Sequence, residues 1–146
     1  MFVCDTMLGK LARWLRILGY DAVYAKESDD GLMMIAKGEK RILLTRDEEL
    51  AGRSGGFLIK KSSVDDQLKE LLDAGLIEID EDRMLTRCPL CNSMLKAVDK
   101  ESARGRVPER SFENSDRFWY CGQCDKYYWV GKHWTDMKER VERIRR

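Results

Sequence analysis

The sequence predicts an α/β fold: a mostly parallel sheet flanked by helices, followed by a small module built around cysteines. Three observations predict it. Short apolar runs alternate with helix-period segments from Met1 to about Leu76. Two C-x2-C pairs, "CPLC" (Cys88, Cys91) and "CGQC" (Cys121, Cys124), stand apart across residues 92–120. Charge and aromatics also divide near that boundary. Up to Arg87 there are 14 Lys and Arg against 17 Asp and Glu; from Cys88 onward there are 13 against 9. The aromatics gather in the basic half, as Phe112, Phe118, Trp119, Tyr120, Tyr127, Tyr128, Trp129 and Trp134.

The elements follow in order. "MFVC" reads as a strand. "TMLGKLARWLRILG" reads as an amphipathic helix, because Leu8, Leu11, Ala12, Leu15 and Leu18 recur at helical spacing and Gly19 stops it. "DAVYA" is a strand and "DDGLMMIAKG" a short helix ended by Gly38. "RILL" is a strand, "RDEELAGR" a short helix, "GFLIKK" a strand and "SVDDQLKELLDAG" a helix. Short strand–helix connections of this kind build a parallel sheet. "LIEIDEDRML" leads into the second module. There "FWYCGQCDKYYWVG" reads as two strands joined by a knuckle that Gly122 helps to turn. The polar "DKESARGRVPERSFENSD" reads as a mobile loop. "WTDMKERVERIRR" reads as a final helix with Thr135 as its N-cap and a basic end suited to the helix dipole. Domains are expected at residues 1–85 and 86–146.

The 146 residues, 43% hydrophobic and 36% charged, support one sizeable core plus an appendage. No apolar run approaches the roughly 20 residues that span a bilayer. The N-terminus lacks the basic-then-apolar layout of a signal peptide. A cytoplasmic protein is expected.

Two C-x2-C knuckles can point four sulfurs at one ion, completing a tetrahedral thiolate shell with no open position. Cys88, Cys91, Cys121 and Cys124 are therefore expected to hold a structural Zn2+. So small a module depends on such an ion, which supplies on the order of 10 kcal/mol. An iron–sulfur centre is the rival for four cysteines. Disulfides and a thioredoxin-like pair fit less well, because there is no secretory signal and the pairs flank hairpin-like sequence. Cys4 lies in an apolar strand and reads as core. His133, the single histidine, reads as structural or phosphate-contacting.

In a parallel sheet, ligands bind beyond the carboxyl ends of the strands. Acids fall there: Asp5 after "FVC", Asp29 and Asp30 after "AVYA", Asp47 after "RILLTR". If the first and third strands are neighbours, Asp5 and Asp47 lie side by side. Carboxylates packed together stay ionised only around a cation, and hard oxygen ligands with room for water select Mg2+ or Mn2+. Each acid is equally a candidate helix cap, and Thr45-Arg46-Asp47-Glu48 fits a capping box. Capping accounts for neither Arg46 nor the basic run Lys10, Arg13 and Arg16 on the first helix. That run, with Lys132 and His133, is a candidate phosphate-contacting surface. Cations interleaved with aromatics suit single-stranded nucleic acid; the aromatics are equally suited to be the core of a small module. No Ser–His–Asp or Cys–His arrangement is available.

Together, "DTMLGKLARWLRILGYD" (Asp5–Asp21), "RILLTRD" (Arg41–Asp47), "RCPLCN" (Arg87–Asn92) and "CGQCDKYYWVGKHW" (Cys121–Trp134) resemble the Mut7-C ribonuclease domain family, a PIN-like nuclease fold fused to a zinc ribbon. They occur in the family's order and span nearly the whole chain. The resemblance implies a ribonuclease that hydrolyses RNA with Mg2+ or Mn2+ on Asp5 and Asp47. Asp29 or Asp30 would supply a further carboxylate, and Arg46 would contact phosphate or orient Asp47. A later acid, Asp65 or Asp66, is a candidate for the family's last ligand. The zinc ribbon would grip RNA. The alternatives are a non-catalytic RNA-binding zinc-ribbon protein and a protein-interaction adaptor. The edge of so small a sheet is compatible with a dimer.

Overall fold

A computed structural model describes residues 1–146. The first half is a four-stranded parallel sheet in the order β2-β1-β3-β4. Its strands are β1 (Phe2–Cys4), β2 (Ala22–Tyr24), β3 (Ile42–Thr45) and β4 (Phe57–Leu58). Helices α1 (Gly9–Ile17), α2 (Asp29–Gly38), α3 (Glu48–Ser54) and α4 (Val64–Asp73) alternate with them. The expected strand over "GFLIKK" narrows to two residues. β1 is central, with Cys4 level with Tyr24 on one side and Leu44 on the other.

Side chains alternate across a strand, so a sheet covered on both faces needs apolar residues throughout. Phe2, Cys4 and Leu44 enter a core with Leu8, Leu11 and Leu15 of the α1 region and Leu68 and Leu71 of α4. Val3 and Leu43 point the other way, onto Leu32 of α2 and Leu50 of α3. The sheet is thus the middle of three layers. After α1 the chain reverses at Gly19, where φ is 93° and a Cβ would run into the Arg83 carbonyl. Only glycine fits there.

The second sheet is antiparallel, in the order β5-β6-β7: β5 (Lys96–Val98), β6 (Phe118–Cys121) and β7 (Lys126–Trp129). The segment between β5 and β6, expected to be a mobile loop, is folded instead. It contains a 3-10 turn at Lys100–Ala103 and the helix α5 (Glu109–Asn114). Ala103 is fully buried, and Phe112 stacks on Phe118 at 6.2 Å between ring centroids. The Arg104 guanidinium lies over the Phe112 ring, 4.7 Å from its centroid. The scattered apolar residues of this polar run leave no visible period, yet Ala103 and Phe112 anchor it.

Helix α6 (Lys132–Arg145) starts after Gly131, four residues earlier than a Thr135 cap would place it. The Thr135 hydroxyl instead donates back to the Gly131 carbonyl at 3.3 Å. The helix also leaves the ribbon with which the sequence grouped it. Trp134, Met137, Val141 and Ile144 recur at helical spacing, and Val141 and Ile144 are buried in the core beneath the parallel sheet. No helix is long and apolar enough to cross a membrane.

Candidate functional site

The four cysteines of the two knuckles converge. Their sulfurs all lie within 4.8 Å of one another, with Cys91 to Cys121 at 3.4 Å and Cys88 to Cys124 at 3.9 Å. Tetrahedral Zn–S bonds of roughly 2.3 Å place sulfurs about 3.8 Å apart, so this donor set can hold a zinc ion. Burial works to raise the Cys91 thiol, but the Ser93 hydroxyl and amide and the neighbouring thiols outweigh it and bring it down to about 6. Tyr128 Oη lies 3.2 Å from Cys88 Sγ, and the Cys124 amide donates to Cys121 Sγ at 3.4 Å. Both knuckles close on a left-handed residue that follows the second cysteine: Asn92 at φ 73° and Asp125 at φ 51°. Asn and Asp tolerate that conformation. The turn expected of Gly122 is therefore made by Asp125. The sequence carried this signal, in an Asn or Asp directly after each C-x2-C.

The first knuckle docks on the amino edge of the parallel sheet. Asn92 accepts from the Ala22 amide at 3.1 Å and donates to Asp21 Oδ1 at 2.7 Å. Arg41 also grips Asp21, at 2.7 Å. Burial would raise the Asp21 carboxyl, yet the bonds from Arg41 and Asn92 hold it below the usual carboxylate range. Arg16 belongs to this contact and not to the basic surface expected of it. It is buried, and its guanidinium donates to the carbonyls of Ala22 at 2.8 Å, Pro89 at 3.1 Å and Leu90 at 3.2 Å. Cys4 is fully buried, and burial pushes its thiol up to about 12, which leaves it inert.

The acids lie at the opposite, carboxyl edge. Because β1 and β3 are neighbours, Asp5 sits beside Thr45. Asp5 is 7% exposed; it accepts from the Met7 amide at 3.0 Å and from the Thr45 hydroxyl at 2.5 Å. That hydroxyl in turn accepts from the Asp47 amide at 3.0 Å. Asp47 is exposed, and Oδ1 caps α3 by accepting from the Leu50 amide at 3.1 Å. Thr45 is thus the link between two acids, not the cap of the expected capping box. Asp29 and Asp30 sit in the first turn of α2 behind a Ser28 cap, and Asp30 pairs with Arg53 at 3.1 Å. Asp65 pairs with Arg140 at 2.7 Å. Nowhere do three carboxylates converge; the thiols are the sole cluster of three or more such ligands. Arg46 is half-buried next to Asp47.

A third feature lies between α1 and α6: a cleft of about 330 Å³ lined by Lys10, Arg13, Trp14, His133, Asp136 and Arg140, with Ile17 and Met137 at its floor. Lys10 and Arg13 make no ion pair, and Arg140 lies 4.9 Å from the Trp14 ring centroid. His133, far from Lys10 and Arg13 in sequence, lines the same cleft as they do. Lys132 does not; it faces a separate groove beside Arg110 and Trp129. Trp14 and Arg140 were missed because α6 was not expected to return to α1. No curated protein and no solved structure matches the chain. The family model described as Mut7-C RNAse domain matches residues 1–141.

Proposed function

The chain belongs to the Mut7-C RNAse domain family, and from that premise we propose that it hydrolyses RNA phosphodiester bonds at the carboxyl edge of the parallel sheet. The observation that carries this reading is the Asp5–Thr45–Asp47 arrangement: a carboxylate 7% exposed, held by two donors, and bridged by Thr45 to the backbone of an exposed acid just beyond the end of the neighbouring strand. A buried carboxylate is costly, and a hydroxyl and an amide aimed at it fix its oxygens in place.

Two carboxylates do not make an all-protein cage. They do fit Mg2+ or Mn2+ as such ions bind in phosphoryl-transfer sites, with one or two carboxylates and with substrate phosphate and water completing the shell. A bound ion supplies activation of the attacking water and stabilisation of charge on the leaving oxygen. Asp5 holds its position through Thr45. Asp47 keeps Oδ2 free of the helix amides and open to solvent. Arg46 is poised to contact the phosphate. Lys10, Arg13 and His133 hold the flanking backbone in the cleft, with the Trp14 face nearby for a base. The four thiols hold Zn2+ as a structural ion. Asp29 and Asp30 have no part in this reading.

The test is cleavage of single-stranded and hairpin RNA with Mg2+ or Mn2+. Asp47→Asn is expected to slow it by about 10²–10³-fold, the worth of several kcal/mol of charge stabilisation. Wild-type rates in the variant would overturn the catalytic assignment. RNA held but never cut by the wild type would reduce the chain to a binding module. Lys10→Gln and Arg13→Gln are each expected to weaken RNA binding for all sequences alike and to lower the salt slope by about 1. Filter binding across a salt series measures both.

A further inference from the structure

Arg16 is a buried cation, 8% exposed, and none of the ion pairs in the molecule includes it. A buried charge needs a counter-charge as well as hydrogen bonds. Its hydrogen bonds go to three carbonyls: Ala22, the first residue of β2, and Pro89 and Leu90, the two residues between the ligands Cys88 and Cys91. The titratable groups near enough to act on it are the Cys4, Cys91 and Cys88 thiols and Asp21. Asp21 is already gripped by Arg41, and Cys4 keeps its proton. That leaves the thiolate centre. Four thiolates around one divalent cation carry net negative charge, and a fixed guanidinium beside them balances it. Only Arg supplies a permanent charge and a planar fork that reaches carbonyls of two elements at once.

We propose that Arg16 is a positioning residue of the thiolate centre: it sets the first knuckle's backbone on α1 and β2, offsets the centre's charge, and so couples metal occupancy to the amino edge of the parallel sheet. The Asn92 side chain is the second tie, spanning the same gap to Asp21 and the Ala22 amide. Coupling is reciprocal: whatever metal binding adds to the order of the Ala22 edge, that edge returns as metal affinity. The inference rests on reading the four cysteines as a metal centre and is independent of RNA cleavage.

The test is titration with Co2+ and Zn2+ in competition with a chromophoric chelator, following the thiolate-to-cobalt absorption. Arg16→Gln is expected to lose about 10–100-fold in affinity, the usual cost of removing an outer partner of a metal ligand. Arg16→Lys restores charge without the fork and is expected to recover part of that loss. Arg110→Gln, an exposed change in the ribbon, is expected to bind as the wild type does. Equal affinities in Arg16→Gln and wild type overturn this proposal alone; a wild type that takes up no Co2+ overturns the metal reading with it. Should Arg16→Gln fail to fold, amide exchange in the wild type decides. Removing the metal should speed exchange at the Ala22 and Phe2 amides, and unchanged exchange there overturns the coupling.

Discussion

Chelating the metal, or replacing Cys121 by serine, is expected to unfold the antiparallel sheet. Both clusters of buried apolar side chains belong to the parallel sheet and its helices; β5, β6 and β7 contribute to neither. Within the ribbon the fully buried side chains are few: Cys88, Cys121, Ala103 and Phe118. Four such residues are too small a core to order the ribbon by burial alone. A thiolate-bound zinc ion adds about 10–16 kcal/mol of folding free energy in comparable small sites. Loss of near-ultraviolet ellipticity from Trp119 and Trp129, together with release of one equivalent of zinc, is the expected signature. Persistent amide protection in β6 and β7 after chelation would show that the ribbon stands without metal.

Asp5→Asn is expected to abolish RNA cleavage at little cost in stability, and the separation of the two effects is what makes it informative. Asn keeps the shape and an oxygen able to accept from the Met7 amide. At the other end its NH2 meets a Thr45 hydroxyl that already accepts from the Asp47 amide. The hydroxyl can turn and accept a second bond, so the fold loses about 1 kcal/mol, the net worth of one hydrogen bond. The negative charge is lost outright, and with it the attraction for a cation. Cleavage should fall by at least about 10²-fold. If cleavage falls only in proportion to the unfolded fraction, Asp5 is a cap and nothing more. Melting curves and rates on the same preparation tell these apart.

Much of this was legible in the residues. α2 spans the segment expected, because Ser28 and the left-handed turn at Lys40 bracket an unbroken apolar period. The parallel sheet followed from alternation, and the adjacency of β1 and β3 brings Asp5 to Thr45. The fate of Arg16 was hidden. Lys10, Arg13 and Arg16 look like one solvated stripe, and two of the three carbonyls that receive the buried Arg16, those of Pro89 and Leu90, lie more than seventy positions away. The same distance concealed the α1–α6 cleft. Capping hid the acids in the opposite way: the local reading of Asp47 as a helix start is correct, and it leaves open what its second oxygen does.

The core beneath the sheet joins segments that are far apart in the chain. Phe2 and Cys4 sit in the same cluster as Val141 and Ile144. During synthesis β1 therefore lacks part of its neighbourhood until α6 has emerged and packed back onto it. In that interval Leu8, Leu68 and their neighbours are exposed to chaperones.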